Sequence, residues 1–181
     1  GTDGGAYIAD VGLGEGPRRP FPLKAAQWEE DGFLFSLSPR PADGTWFWDN
    51  PANVTGLLPG VTFDIESSVT GSEEFRKYHE FYWDDDTSPY RTGPIVLHRR
   101  DGPKGVLSLV GCVLKLSSPG LPGKAEVLAT ITTKKAWYAV IRESFNMPLD
   151  DLSDEEKARL WEIAESEHAA WLAARAAPAP A

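Results

Sequence analysis

Cysteine is nearly absent: Cys112 is the single one in 181 residues. The chain therefore builds no internal disulfide and no thiolate metal site of its own. Basic side chains are also few. Lys and Arg number 18 against 27 Asp and Glu, a formal charge of −9. That balance argues against a nucleic-acid partner, which needs clustered cations to neutralise phosphates. No apolar run approaches the roughly 20 residues that span a bilayer, and no secretory signal is visible. The compartment is left open between cytoplasm and an organellar lumen or matrix. The one methionine is Met147, and no initiator precedes Gly1. The chain reads as the later part of something longer, cut at or near a hairpin.

What is present is ordinary in bulk and unusual in places. Hydrophobic residues make up 41% and charged residues 25%, the proportions of a globular domain with a sizeable core. Seven Trp predict large flat contacts in a core, at an interface, or both. The most informative stretch is the beginning. Gly1-Thr2-Asp3-Gly4-Gly5 carries hairpin-turn chemistry, and Tyr7-Ile8-Ala9-Asp10-Val11-Gly12-Leu13-Gly14 follows it. In a strand, Tyr7, Ala9 and Val11 face one side and Ile8 and Asp10 the other. Asp10 then meets Gly12 and Gly14, where the chain must turn. A carboxylate so placed is either an orienting acid in a catalytic site or a structural acceptor for loop amides.

Further along, Pro17, Pro20 and Pro22 bracket an extended connector. Phe33, Phe35 and Leu37 share one face of a strand, and Thr45-Trp46-Phe47-Trp48 follows the Asp43-Gly44 turn signal to complete a hairpin. Residues 49–61 read as loop. Val61, Phe63 and Ile65 are the inward side of another strand. Over 72–92, Phe75, Tyr78, His79 and Tyr82 share a helical face. An antiparallel meander follows: Ile95 to Arg99, Val106 to Leu116, and Ala125 to Ile131. Thr132 or Thr133 caps a helix with Trp137, Ile141 and Phe145 as its buried stripe, stopped by Pro148. Ser153 with Glu156 is a capping box. The helix it opens carries Leu160, Ile163, Ala164, Trp171 and Leu172 as its apolar stripe to about Ala176, before Pro178 and Pro180.

Several of these pieces, in this order, resemble the arylamine N-acetyltransferase family. Tyr7 to Gly14 is similar to that family's apolar strand running into Asp-Val-Gly-aromatic-Gly, with Leu13 where the family usually has Phe. Pro17 to Leu23, Val61 to Glu66 with Phe75, Ser88-Pro89-Tyr90 followed by Ile95 to Arg100, Gly111 to Lys115, and Arg142 to Leu149 resemble later segments. The resemblance covers roughly residues 5–150. It implies a Cys–His–Asp triad that moves an acetyl group from acetyl-CoA to an arylamine. In that scheme a thiolate attacks, an imidazole activates it, and an aspartate orients the imidazole. Asp10 matches the triad acid. The family's Arg-Gly-Gly-x-Cys nucleophile segment and its histidine strand have no counterpart in this sequence. Gly12 and Leu13 match positions near the substrate pocket. Acetyl-CoA is the implied co-substrate, with no metal.

The other reactive side chains have plainer readings. Cys112, between Val110 and Val113, reads as a buried inert thiol in an apolar strand. His79, His98 and His168 match no family histidine and read as structural or solvated. Asp84-Asp85-Asp86 reads as a solvated acidic loop, because consecutive side chains splay apart. Gly12 to Gly16 lacks the ending of a phosphate loop.

The expected fold is α+β: a mostly antiparallel β-barrel or sheet, a small α/β lid and an extended C-terminal helix. This is a cysteine-proteinase-like acetyltransferase fold lacking its N-terminal helical bundle. Its expected parts are 1–92 (partial barrel), 93–150 (lid) and 151–181 (helix and Ala/Pro tail). The expected partner is a missing N-terminal segment or a separate chain, with a protein partner as one reading of the Ser153–Ala176 helix. Two functions compete: part of an acyltransferase, and a catalytically inactive structural subunit of a larger assembly.

Overall fold

The computed structural model describes residues 5–10, 12–51, 59–67, 71–92, 95–121 and 124–176. The turn at Gly1 to Gly4, Val11, most of the 49–61 loop and the closing Pro178 and Pro180 lie outside them. The architecture is mixed α/β with three antiparallel sheets, and among the described residues no barrel closes. β1 (Tyr7–Ile8) pairs with β2 (Phe21–Pro22). β3 (Ala26–Glu30), β4 (Phe33–Arg40), β5 (Thr45–Asp49) and β6 (Gly60–Phe63) form a four-stranded meander in chain order. β7 (Val96–Arg100), β8 (Val106–Val110), β9 (Val113–Ser117) and β10 (Glu126–Thr130) form the third sheet, again in chain order. The helices are α1 (Arg76–Asp84), α2 (Pro89–Thr92), α3 (Lys134–Phe145) and α4 (Asp154–Ala176).

The chain divides into two compact units. The first takes the described residues of Gly1–Ser68, His98–Ser108 and Leu116–Glu126. Its core is Phe21, Phe33, Phe35, Leu37, Trp48 and Val106. The period-two pattern of β4 explains it: Phe33, Phe35 and Leu37 are buried while Leu34 is exposed. Each such burial contributes about 1.5–3 kcal/mol. Trp28 on β3 extends the cluster, stacked on Phe35 at 5.7 Å and tilted against Phe21 at 4.7 Å. The hairpin β4–β5 matches the sequence reading, with Leu37 opposite Trp48 and Arg40 opposite Thr45. β6 is shorter than expected. It ends at Phe63, and Ile65 is exposed rather than inward. Asp64 turns the chain there by accepting from the Glu66 amide at 2.9 Å and the Ser67 hydroxyl at 2.6 Å.

The second unit takes the described residues of Val69–Leu97, Leu109–Lys115 and Val127–Ala181. Here one expected strand is two. Val106 to Leu116 breaks at Gly111, whose φ of 54° lies in the left-handed region that glycine tolerates. Cys112 therefore sits in a turn, not on a strand. It is buried all the same, and its thiol donates to the Ala164 carbonyl at 3.4 Å. The expected stripe of α3 is present: Trp137, Ile141 and Phe145 are its buried residues. Thr133 Oγ1 caps it by accepting from the Ala136 amide, and left-handed Asn146 ends it before Pro148.

The capping box on α4 forms both ways. The Ser153 amide donates to Glu156 Oε2 at 2.8 Å, and the Glu156 amide donates to Ser153 Oγ at 3.2 Å. The Ser153 hydroxyl, donating to Glu156 Oε2 at 2.7 Å, and after it the Ser153 amide hold the Glu156 carboxyl below its ordinary value. The inward residues of α4 differ from expectation. Ala164 is buried and Leu160 and Trp161 are half-buried, whereas Ile163, Trp171 and Leu172 are exposed. Apolar side chains are spread around this helix instead of forming one stripe. None of the described residues in α1 is buried, so its aromatic face is open.

Candidate functional site

Asp10 sits where β1 gives way to a glycine-punctuated loop. Ile8 and Asp10 are half-buried and Tyr7 and Ala9 exposed, the alternation expected of a strand with one covered face. The carboxylate divides its work. Oδ1 accepts from the Gly12 amide at 3.0 Å and the Leu13 amide at 3.1 Å. This is the Asx-turn geometry that short acidic side chains favour. Among the described residues no donor reaches Oδ2. Among the described residues, every hydrogen bond to Asp10 therefore comes from a loop amide.

The loop is held from several sides within the first unit. Gly14, at φ 67°, lies against the His98 main chain, and a Cβ there would come within 2.6 Å of the His98 carbonyl oxygen. Glu15 is buried, and its Oε1 accepts from Asn50 Nδ2 at 3.2 Å. Gly16 is packed on Asp10 Oδ2 and the Trp48 ring. Any Cβ at position 16 must displace the carboxylate. Gly16→Ala is thus expected to cost about 1–3 kcal/mol as local overpacking and to swing Oδ2 off its present direction. Urea unfolding of the variant checks the first effect, and a cost below ~0.5 kcal/mol would contradict it. Leu13 packs on the aromatic core, while Gly12 is exposed at the loop crest.

The remaining candidates make other contacts, each within its own unit. Cys112 is buried in the second unit, and burial with Glu165 and Glu167 nearby pushes its thiol pKa up. That is the opposite of an activated nucleophile. His79 stacks on Trp83 and His168 on Trp171. His98, half-buried, has Nδ1 2.8 Å from Ser108 Oγ. Asp85 uses its carboxylate on the Thr87 amide and hydroxyl, as a loop acceptor does. Among the described residues no group of three His, Cys, Asp or Glu could hold a metal, and no helix is long and apolar enough to cross a membrane.

Burial lowers the His98 pKa from its ordinary value, so the folded state favours the neutral ring. The unfolded chain then takes up the proton first as pH falls through about 6.5. The stability due to the neutral ring is complete above that value and is lost as pH falls toward the folded-state pKa. Thermal midpoints are expected to drop between pH 7.5 and 5.5, and to drop less in His98→Gln. An equal drop in the variant would contradict this assignment.

Solved structures share this architecture. The arylamine N-acetyltransferase of Mycobacterium abscessus superimposes with a TM-score of 0.61 at 20% identity, over 88% of this chain and 55% of its own. The fold is a partial arylamine N-acetyltransferase fold. The Mycobacterium marinum arylamine N-acetyltransferase in complex with CoA gives a TM-score of 0.66 at 17% identity, over 88% of this chain and 56% of its own. The Salmonella typhimurium arylamine N-acetyltransferase gives 0.66 at 17%, over 88% and 57%. This chain thus spans little more than half the length of the arylamine N-acetyltransferases it matches. No protein-family model matches the sequence, and neither does any curated protein.

Sequence reasoning put Asp10 on a strand and Gly12 and Leu13 in the turn after it; the strand ends at Ile8, so Asp10 lies in the loop with them. It missed Glu15, Gly16 and Asn50. The spacing Gly14-Glu15-Gly16 offered a cue, since a single acid between glycines in an otherwise tight loop is a candidate for burial.

Proposed function

We propose that this chain is the C-terminal portion of an arylamine N-acetyltransferase-like acyltransferase. Asp10 is the orienting acid, and the cysteine and histidine come from polypeptide outside these 181 residues. The observation that carries the reading is the split use of the carboxylate. Oδ1 is pinned by two amides, which fixes the plane of the group. Oδ2 is left as the acceptor for an imidazole N–H.

In that arrangement the imidazole takes the proton of a cysteine thiol, and Asp10 holds the ring in the needed tautomer and favours its cation. The thiolate attacks the acetyl-CoA carbonyl, CoA leaves as the thiol with the proton the ring carried, and the acetyl group stays on sulfur as a thioester. An arylamine attacks that thioester and gives up a proton to the ring, which restores the free cysteine. Gly12, bare and exposed at the loop crest, leaves room for the acceptor, and Leu13 supports it from the core side. The neighbour bound to CoA supports acyl-CoA as the donor class.

A second reading has its own support. The single thiol of this chain is buried and raised in pKa, and no described imidazole bonds to Asp10. A catalytically inactive structural subunit that keeps the scaffold, with α4 binding another protein, is consistent with both facts. The deciding experiment assays acetyl transfer from acetyl-CoA to an arylamine, using protein from its native source whose intact mass has been measured. Activity in a species heavier than 19.8 kDa, or in a complex, supports the enzyme. Inactivity in a species of that mass supports the subunit.

A further inference from the structure

The second unit contains a cavity of about 370 Å³, lined by Val110, Val113, Lys115, Glu167, His168 and Trp171 among others. We infer that it is a binding site for a small aromatic or medium-chain carboxylate. The proposed acyl transfer plays no part in the argument. Size comes first. A dry apolar cavity of about 150 Å³ holds one benzene, so this one accommodates a bicyclic ring or a chain of similar bulk, within the range of ligand sites.

The walls set the body of the ligand. Val110 and Val113 come from β8 and β9, and the indole of Trp171 comes from the far half of α4. The Trp171 ring is held in place from its own helix, stacked with His168 at 5.8 Å and with the Arg175 guanidinium 4.7 Å from its centroid. Trp171 is 43% exposed, so part of its ring is open to a ligand.

Charge sets the head. Lys115 lines the cavity, and its ammonium makes no ion pair or hydrogen bond among the described residues. Glu167 also lines it, but its Oε2 accepts from the Ile95 amide at 3.2 Å, so part of its acceptor capacity is used. Of the two charged side chains in the lining, Lys115 and Glu167, Lys115 is the one with no partner among the described residues. An anionic group beside Lys115 completes the site.

The test is calorimetric titration of the full chain with 2-naphthoate and with the uncharged 2-naphthylmethanol. Naphthoate is expected to bind one-to-one and about fivefold more tightly than the alcohol, the worth of one partly exposed charge pair. Lys115→Gln is expected to erase that difference while the alcohol binds as before. Ala170→Trp, which fills the cavity from an exposed helix position, is expected to abolish both. Equal affinity for acid and alcohol, an unchanged preference in Lys115→Gln, or no heat with either would overturn the inference. So would a concentration-dependent dimer dissolved by Ala170→Trp, which would put a second copy of the chain in the cavity.

Discussion

Asparagine at position 10 is expected to lower kcat for acetyl transfer by roughly 10³–10⁴-fold in the intact protein, with little change in stability. The size follows from what an isosteric amide does to an orienting acid: geometry is kept, but the imidazole is held in the wrong tautomer. The local hydrogen bonds make the amide's orientation predictable here. The Gly12 and Leu13 amides are donors, so the asparagine must turn its carbonyl oxygen toward them. Its NH₂ then occupies the place of Oδ2 and presents a donor to the imidazole N–H. The alternative flip would set NH₂ against two amide donors at about 3 Å, which forfeits both bonds. Steady-state kinetics with a fixed arylamine and varied acetyl-CoA measures the loss. Activity within tenfold of wild type would mean that Asp10 is a loop acceptor and nothing more.

Alanine at position 137 is expected to be the most damaging single change in the second unit. Trp137 is 1% exposed and lies edge-on to Tyr138 at 5.0 Å and to Trp161 at 6.1 Å. Its Nε1 donates to the Gly111 carbonyl at 2.9 Å, tying α3 to the β8–β9 turn. Truncation removes the packing, about 3–5 kcal/mol, and leaves that buried carbonyl unpaired, about 1–3 kcal/mol more. Against the 5–15 kcal/mol available to a typical domain, such a loss leaves much of the unit unfolded at 25 °C. Trp137→Phe keeps most of the packing and is expected to show mainly the hydrogen-bond part. Urea unfolding followed by circular dichroism separates the two. A cost below ~1 kcal/mol for the alanine would contradict this account of the core.

Both predictions rest on features of unequal visibility in the sequence. The stripe Trp137, Ile141, Phe145 was legible because three large apolar residues at i, i+4 and i+8 leave no other periodicity. The Ser153–Glu156 box was legible because both partners lie within one turn. β3 was not read as a strand, although Asp31-Gly32 is the strongest short hairpin signal there is and both residues adopt positive φ, 54° and 82°. The flanking Gln27, Glu29 and Glu30 hid it. β3 lies at the end of its sheet, and only Trp28 needs to be apolar. The turn at Gly111 was hidden for the opposite reason: Val-Gly-Cys-Val is apolar throughout, and a buried turn carries none of the polar residues that mark exposed ones. For α4, composition indicated an apolar stripe but could not indicate which residues find a neighbour.

The site followed the same division. Asp10 with Gly12 was readable because an Asx turn is local and closes over two or three residues. The Glu15–Asn50 bond was not, because it joins residues 35 apart and neither residue has any local reason to be buried. Gly16 reads as one more loop glycine until the carboxylate of Asp10 is found resting on it.

The most direct examination of Asp10 is the proton spectrum of the intact native protein, recorded far downfield where a carboxylate-bonded imidazole N–H resonates. The account predicts one such signal, present in wild type and gone in Asp10→Asn while the rest of the spectrum is kept. A signal that persists in the variant, or none in an active wild type, would contradict it.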